Sequence, residues 1–172
     1  MYVQVDVVKN GRVDEGCNDF RRAVNAYLEE SRPNVLILHS YDGAEIIGGK
    51  AAFKKGLLSQ LKFATSTVKE VVIIGSMPGS GDLNSCVKFD GTIQNCLGSE
   101  RNLSEYRSLE KAYAAKLGAH YFDPIPYLCS NGNCPPFIGS VPTYLDGSHL
   151  TPRMAESISP FFHDFLIKKR IL

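Results

Sequence analysis

What the chain lacks narrows its chemistry before anything it contains. No apolar run approaches the roughly 20 residues needed to cross a bilayer. Neither sign of charge is in excess: the formal net charge is +1, so nothing points to nucleic acid or to strongly acidic partners. The five cysteines include no Cys-x-x-Cys pair and no zinc-like spacing, so neither metal nor cofactor is expected. A Gly-x-Ser-x-Gly elbow and a P-loop ending in Lys-Ser or Lys-Thr are both missing, as are repeats, linkers and low-complexity tracts. Met1-Tyr2-Val3-Gln4 opens on strand-like alternation and does not read as an export leader.

What is present suits one globular domain over residues 1–172, with 44% hydrophobic and 22% charged residues. The apolar period switches repeatedly between strand and helix. Tyr2 to Val7 alternates as a half-buried strand, and Phe20, Ala23, Val24, Tyr27 and Leu28 recur at helical spacing up to Arg32-Pro33. Val35-Leu36-Ile37-Leu38 reads as a strand covered on both faces, then Phe53, Leu57, Leu58 and Leu61 mark a second helix. Val71 to Gly75 is the next buried strand. Tyr106, Leu109, Tyr113 and Leu117 mark a third helix stopped by Gly118, and His120 to Asp123 is a short strand. The last helix starts with Thr151 as N-cap and Pro152 in its first turn; Met154, Ile158, Phe161, Phe162 and Phe165 form its apolar face, and Pro160 should kink or divide it. Aromatics at these helical spacings are expected in the core. The alternation predicts an α/β fold: a three-layer α/β/α domain around a mostly parallel sheet.

Residues 75–101 and 123–150 are too long to be simple connectors. Cys129 and Cys134 bracket a turn-rich loop that could close a small disulfide, and Cys86 and Cys96 flank Asp90-Gly91 in a similar way. Cysteines in polar loops suit an oxidising compartment, as does the glycosylation sequon Asn102-Leu103-Ser104; Cys17 is left over.

The chemistry concentrates in Asp146-Gly147-Ser148-His149-Leu150-Thr151. An Asp three residues before a His on a Gly-containing turn can set a carboxylate beside an imidazole nitrogen, which is two-thirds of a serine-hydrolase triad. Open parallel sheets bind ligands at the carboxyl ends of their strands. Three segments fall there: His39 to Gly43, Ser76 to Ser80, and the Asp146–His149 loop. Ser40 is the best nucleophile within the chain, because it follows an apolar strand at that edge with Gly43 close by. His39 reads as a satisfied structural histidine. Amides of Gly79 or Gly81 could serve as oxyanion donors. His120 and His163 read as packing or surface residues.

Asp123-Pro124, the Cys129–Cys134 loop and Tyr144-Leu145-Asp146-Gly147-Ser148-His149-Leu150-Thr151 before a terminal helix resemble the end of an SGNH hydrolase-type domain. More narrowly they resemble the extracytoplasmic SGNH domain fused behind membrane-embedded acyltransferase-3 proteins. Cys17 before an amphipathic helix, Pro33 to Leu38 and Val71 to Pro78 extend the likeness upstream. The resemblance implies that Asp146 and His149 are triad acid and base. It also implies O-acyl transfer or ester hydrolysis on carbohydrate hydroxyls, beside a membrane acyltransferase partner domain. The Gly-Asp-Ser motif that carries the nucleophile in that family is missing, and Gly81-Asp82-Leu83 comes nearest to it; the Gly-x-Asn-Asp oxyanion motif of other SGNH enzymes is absent too, as it commonly is in members fused to the acyltransferase. By this resemblance the first strand and its serine would precede Met1, Tyr2 to Val8 would be the second strand, and the domain would be N-terminally truncated. A place outside the cytoplasm, tethered to a membrane domain, follows if the chain is part of a longer protein. Two other readings stand beside this one. The first is a non-catalytic glycan-binding or interaction module on the same scaffold. The second is a flavodoxin-like domain taking a phosphorylated ligand at Ser76–Ser80.

Overall fold

The computed structural model describes residues 5–9, 11–39, 46–80 and 92–172. Its chain divides into two compact units: residues 1–76 with 105–122, and residues 77–104 with 123–172.

The first unit is built on a three-stranded parallel sheet. β1 (Val8–Lys9) and β2 (Arg12–Val13) form a short antiparallel hairpin that leads into α1 (Glu15–Ser31). The Asp14 carboxylate caps α1 by accepting the Cys17 amide, and Arg32, in left-handed conformation at φ 41°, closes its far end. β3 (Val35–His39), β4 (Glu70–Ile74) and, further on, β6 (His120–Phe122) make the sheet in that order, all parallel. Right-handed crossovers between parallel neighbours need a helix each. α2 (Gly49–Thr67) supplies the first, and α3 (Ser104–Leu117), capped by Gly118 at φ 74°, precedes β6.

Phe53, Leu57, Leu61 and Ala64 of α2 are buried with Val71 and Ile73 of β4, Leu38 of β3 and Ala114 of α3. Val72 alternates to the opposite face and is equally buried, so β4 is covered on both sides. The expected α/β arrangement, a parallel sheet flanked by helices, is therefore present.

Several local expectations change. β3 is not covered on both faces: among the described residues it is the outer strand of its sheet, and Ile37 is 48% exposed. The helical aromatics Phe20 and Tyr27 of α1 are exposed, whereas Leu28 carries the packing. Of the expected N-terminal strand, Met1 to Gln4 lie outside the described residues. Val5 joins the core, Val7 makes a single bridge to Ile46, and Val8–Lys9 pairs with the hairpin and not with the parallel sheet.

The second unit is held by short elements and a long helix. β5 (Gly98–Ser99) pairs with β7 (Asn133–Cys134), and β8 (Phe137–Ile138) with β9 (Val141–Pro142). α4 (Ile125–Leu128) is a single turn, and α5 (Pro152–Lys168) ends the unit. A disulfide joins Cys129 and Cys134, as their loop suggested. Cys96 is disulfide-bonded too, while Cys86 lies outside the described residues. Cys17 is a free thiol.

Of the kink or division expected at Pro160, the division does not occur: α5 runs unbroken from Pro152 to Lys168. Proline has no N–H for the Glu156 carbonyl four residues back. The Ser159 hydroxyl donates to that same carbonyl at 2.9 Å, so the acceptor is not orphaned. The buried side of α5 is Met154, Ile158 and Leu166, while Phe161 stacks on Tyr127 at the surface with ring centroids 4.6 Å apart.

Candidate active site

The Asp146–His149 turn is fixed from its flanks inward. Thr143 is fully buried; its amide donates to the Pro136 carbonyl at 2.8 Å and its hydroxyl to the Pro135 carbonyl at 2.9 Å. Tyr144 and Leu150 form an antiparallel bridge, and the Leu145 amide closes the loop on the His149 carbonyl at 2.7 Å. Thr151 acts twice: its hydroxyl caps α5 by accepting the Met154 amide at 3.1 Å and donates to the Pro142 carbonyl at 2.6 Å. Between these anchors the backbone must reverse in four residues, and Gly147 adopts φ 84°, where a side chain would be strained.

Inside the turn, one carboxylate does most of the bonding. Asp146 Oδ1 accepts the His149 amide at 2.9 Å, the Ser148 amide at 3.1 Å and the Ser148 hydroxyl at 3.0 Å. Asp146 Oδ2 lies 2.8 Å from His149 Nδ1. The His149 amide first, then its ring and the Ser148 amide, hold the Asp146 carboxyl well below the usual carboxylate range. With Asp146 ionised, the contact favours the tautomer that carries its ring proton on Nδ1. The side chains of Asp146 and His149 are 57% and 71% exposed, so water screens their attraction. Tautomer control here rests on geometry more than on charge.

The Ser76–Ser80 loop bears on this turn through its second half. The Ser80 amide donates to the Gly147 carbonyl at 2.9 Å. A methyl group on Gly79 would run into that same carbonyl, and one on Gly98 would run into the Gly79 carbonyl. Three backbone segments thus stack with only hydrogen at their crossing points. Gly79 therefore serves close approach, and Gly81 lies outside the described residues.

At the other end of the loop, the Ser76 amide and hydroxyl both donate to Glu110 Oε2 at 3.0 Å, and Glu110 is wholly buried. A carboxylate thus holds both donors of Ser76, which counts against a phosphate at that end of the Ser76–Ser80 loop.

His39 Nδ1 sits 3.1 Å from the Ile74 carbonyl, which makes it a satisfied histidine at the end of the sheet. Crowding by neighbouring atoms lowers its pKa, outweighing that hydrogen bond, although the residue keeps exposed surface. His120 Nε2 lies 3.0 Å from the Glu70 carboxylate, within hydrogen-bond reach, and His163 is a surface residue near Asp164. Ser40, the nucleophile proposed from sequence, lies outside the described residues, as does any approach of its hydroxyl to His149. Among the described residues no cluster of metal-ligating side chains occurs.

Sequence reasoning missed Ser148, Thr143 and Glu110. Ser148 was legible as a short polar residue inside an Asp-Gly turn. A buried Glu on an amphipathic helix carries no local signal.

Residues 2–164 match the family model described as "SGNH domain (fused to AT3 domains)". The chain belongs to the SGNH domain family. Its fold is similar to that of the periplasmic domain of a lipopolysaccharide acetyltransferase from Salmonella ser. Paratyphi A, with a TM-score of 0.66 and 19% identity over 93% of this chain and 67% of that one. No curated protein matches the sequence. Among the described residues of this SGNH domain, no helix is long and apolar enough to cross a membrane.

Proposed function

We propose that this SGNH domain takes part in O-acyl transfer to carbohydrate hydroxyls, or in hydrolysis of such esters, with His149 as base and Asp146 as its orienting acid. The observation that carries the reading is the 2.8 Å contact between Asp146 Oδ2 and His149 Nδ1 in a turn whose backbone is bonded on every side. His149 Nε2 would take the proton of a serine hydroxyl as that oxygen attacks the acyl carbonyl. The imidazolium would give that proton to the donor's leaving group as its bond to the acyl carbon breaks. His149 would then take the proton of a sugar hydroxyl or water as it attacks the acyl-serine and pass it to the departing serine oxygen. Gly-Asp-Ser is missing, so the nucleophile is either Ser40 or a serine supplied upstream of residue 1, together with the first strand of a single N-terminally truncated domain. The family's description as fused to AT3 domains supports a membrane acyltransferase partner, and the neighbour's periplasmic origin supports a place outside the cytoplasm.

Fluorophosphonate labelling of the purified chain beside His149→Ala, read by peptide mass, tests this. Labelling of Ser40 that disappears in the variant is the outcome expected of a self-contained site. Labelling that persists without His149 would sink its role as base. The missing motif also favours a second reading, a glycan-binding module without turnover. Saturable binding of O-acetylated oligosaccharides by a folded protein that takes no label would support that reading.

A further inference from the structure

We infer that the Cys129–Cys134 disulfide positions the Asp146–His149 turn, so that opening this one bridge with a dithiol unlocks His149 while the protein stays folded. For its effect on turnover the inference rests on the catalytic reading above; for its effect on the turn it stands by itself.

Two lines of contact run from Cys134 to the turn, both inside the second unit. The first follows the chain. Pro135 and Pro136 come directly after Cys134, and their carbonyls accept the hydroxyl and amide of the buried Thr143 at 2.9 and 2.8 Å. The Thr143 carbonyl accepts the Thr151 amide at 3.0 Å, so both ends of the loop that carries Asp146 and His149 depend on this anchor. The second line runs through the glycines. Cys134 pairs with Gly98 in the β5–β7 ladder, and the Glu100 amide donates to the Gly132 carbonyl at 3.1 Å. Gly98 lies against the Gly79 carbonyl, and Gly79 against the Gly147 carbonyl, with no room for a methyl group at either crossing. The Ser80 amide holds that same Gly147 carbonyl at 2.9 Å. Backbone packed this closely passes on a displacement, because no flexible side chain lies between to absorb it.

The covalent bond decides where Cys134 sits. The hairpin between the two cysteines is small: Ser130 and Asn133 exchange backbone bonds at 2.8 and 3.0 Å, and Asn131 and Gly132 form its tip at φ 51° and 83°. A two-stranded ribbon of that length is marginal by itself in water, and Asn131 sits where side chains are disfavoured. Cys129 is the fixed end. Its amide donates to the Ile125 carbonyl at 2.9 Å where α4 stops, and the neighbouring Leu128 is fully buried. The disulfide passes that anchorage to Cys134.

The bridge can be attacked from one side. Cys129 is half-buried, whereas Cys134 and the disulfide-bonded Cys96 are fully buried. One thiolate of the dithiol attacks Sγ of Cys129, the S–S bond breaks, and Cys134 leaves as a thiolate that takes up a proton. The second thiolate then attacks the dithiol sulfur bonded to Cys129. Cys129 leaves and is protonated, the dithiol is oxidised to a cyclic disulfide, and its two electrons end on the two cysteine thiols. Cys134 and the Pro135–Pro136 segment then gain freedom that the small hairpin does not restrain. The anchors at Thr143 and Gly98 loosen together, and the contact between Asp146 and His149 loosens with them.

The test titrates the whole chain with dithiothreitol, with alkylation of withdrawn samples and peptide mass recording which cysteines have opened. Cys129 and Cys134 should open before Cys96. At that stage exchange of the Leu145, Ser148 and His149 amides should quicken by about tenfold or more. The ring nitrogen shifts of His149 should move toward those of a free imidazole, while the amides of Val35–His39 and Glu70–Ile74 keep their shifts. Serine-directed labelling or ester turnover should fall by about 10²-fold, the scale set by a misplaced catalytic group, and reoxidation should restore it. A mere loss of global stability does not move the ring shifts of the folded protein. Cys129→Ala with Cys134→Ala should reproduce the open state without reductant, and Gly98→Ala should shift the ring with the bridge intact. The inference is overturned if His149 and the turn amides are unchanged once the bridge is open, or if they change only as the parallel sheet melts. It is equally overturned if Cys96 opens first. A chain that never labels but shows the redox-dependent shifts supports this inference and sinks the catalytic reading.

Discussion

Asp146 carries two tasks that a single substitution can separate. One oxygen organises the turn by accepting the amides of Ser148 and His149; the other sets the His149 tautomer. Asn at this position keeps an oxygen for the amides but can present an NH₂ to Nδ1, which favours the tautomer with its proton on Nε2. Asp146→Asn should therefore preserve the fold and move the ring proton, as read by nitrogen chemical shifts of His149. Serine-directed labelling or ester turnover should fall by about 10³–10⁴-fold. Asp146→Ala should lose the turn as well, so backbone shifts of residues 146–149 should move in Ala and stay in Asn. An unchanged tautomer in Asp146→Asn would show that the 2.8 Å contact does not govern the ring.

Among the elements, α5 shows how a proline is accommodated where sequence rules predict a break. Thr151-Pro152 announced its start, and the Thr151 hydroxyl indeed caps it. Pro160 announced a kink or a division; the helix is not divided, and Ser159 bonds to the Glu156 carbonyl that the proline cannot serve. Ser159→Ala should cost about 0.5–1.5 kcal/mol, since the carbonyl then has no internal donor. Pro160→Ala restores the backbone N–H and should stabilise the helix, by at most about 3 kcal/mol. In that background Ser159→Ala should cost close to nothing. The double-mutant cycle is the measurement, and additive losses would refute the pairing.

The same contrast marks how much of the architecture was legible. Val71–Gly75 and Phe53–Leu61 were readable because their apolar periods agree with their final burial. Phe20 and Tyr27 were misread because helical spacing identifies a face and not what covers it. The Asp-x-x-His turn was visible in composition alone. What holds it was not: Gly79 and Gly98 act through backbone approach across about 70 and 20 residues of chain, which no local pattern encodes.

Across the whole molecule, protonation couples these local environments to stability. His39 has its pKa lowered by crowding, so the folded chain holds a neutral ring where the unfolded chain takes up a proton. As pH falls through the ordinary histidine range, near 6.5, the unfolded state binds more protons and stability declines until the lowered folded pKa is passed. Asp146 works in the opposite range: its folded pKa is depressed, so its contribution is complete above about pH 4 and is lost only below that. Urea midpoints should thus fall between pH 7.5 and pH 5.5 and again below pH 4. His39→Gln, which can still donate to the Ile74 carbonyl, should flatten the first decline and leave the second. Asp146→Asn should do the reverse. If His39→Gln leaves the pH 7.5 to 5.5 difference unchanged, the ring at the end of β3 is protonated as easily in the folded chain as in the unfolded one, and crowding at that edge is weaker than the packing implies.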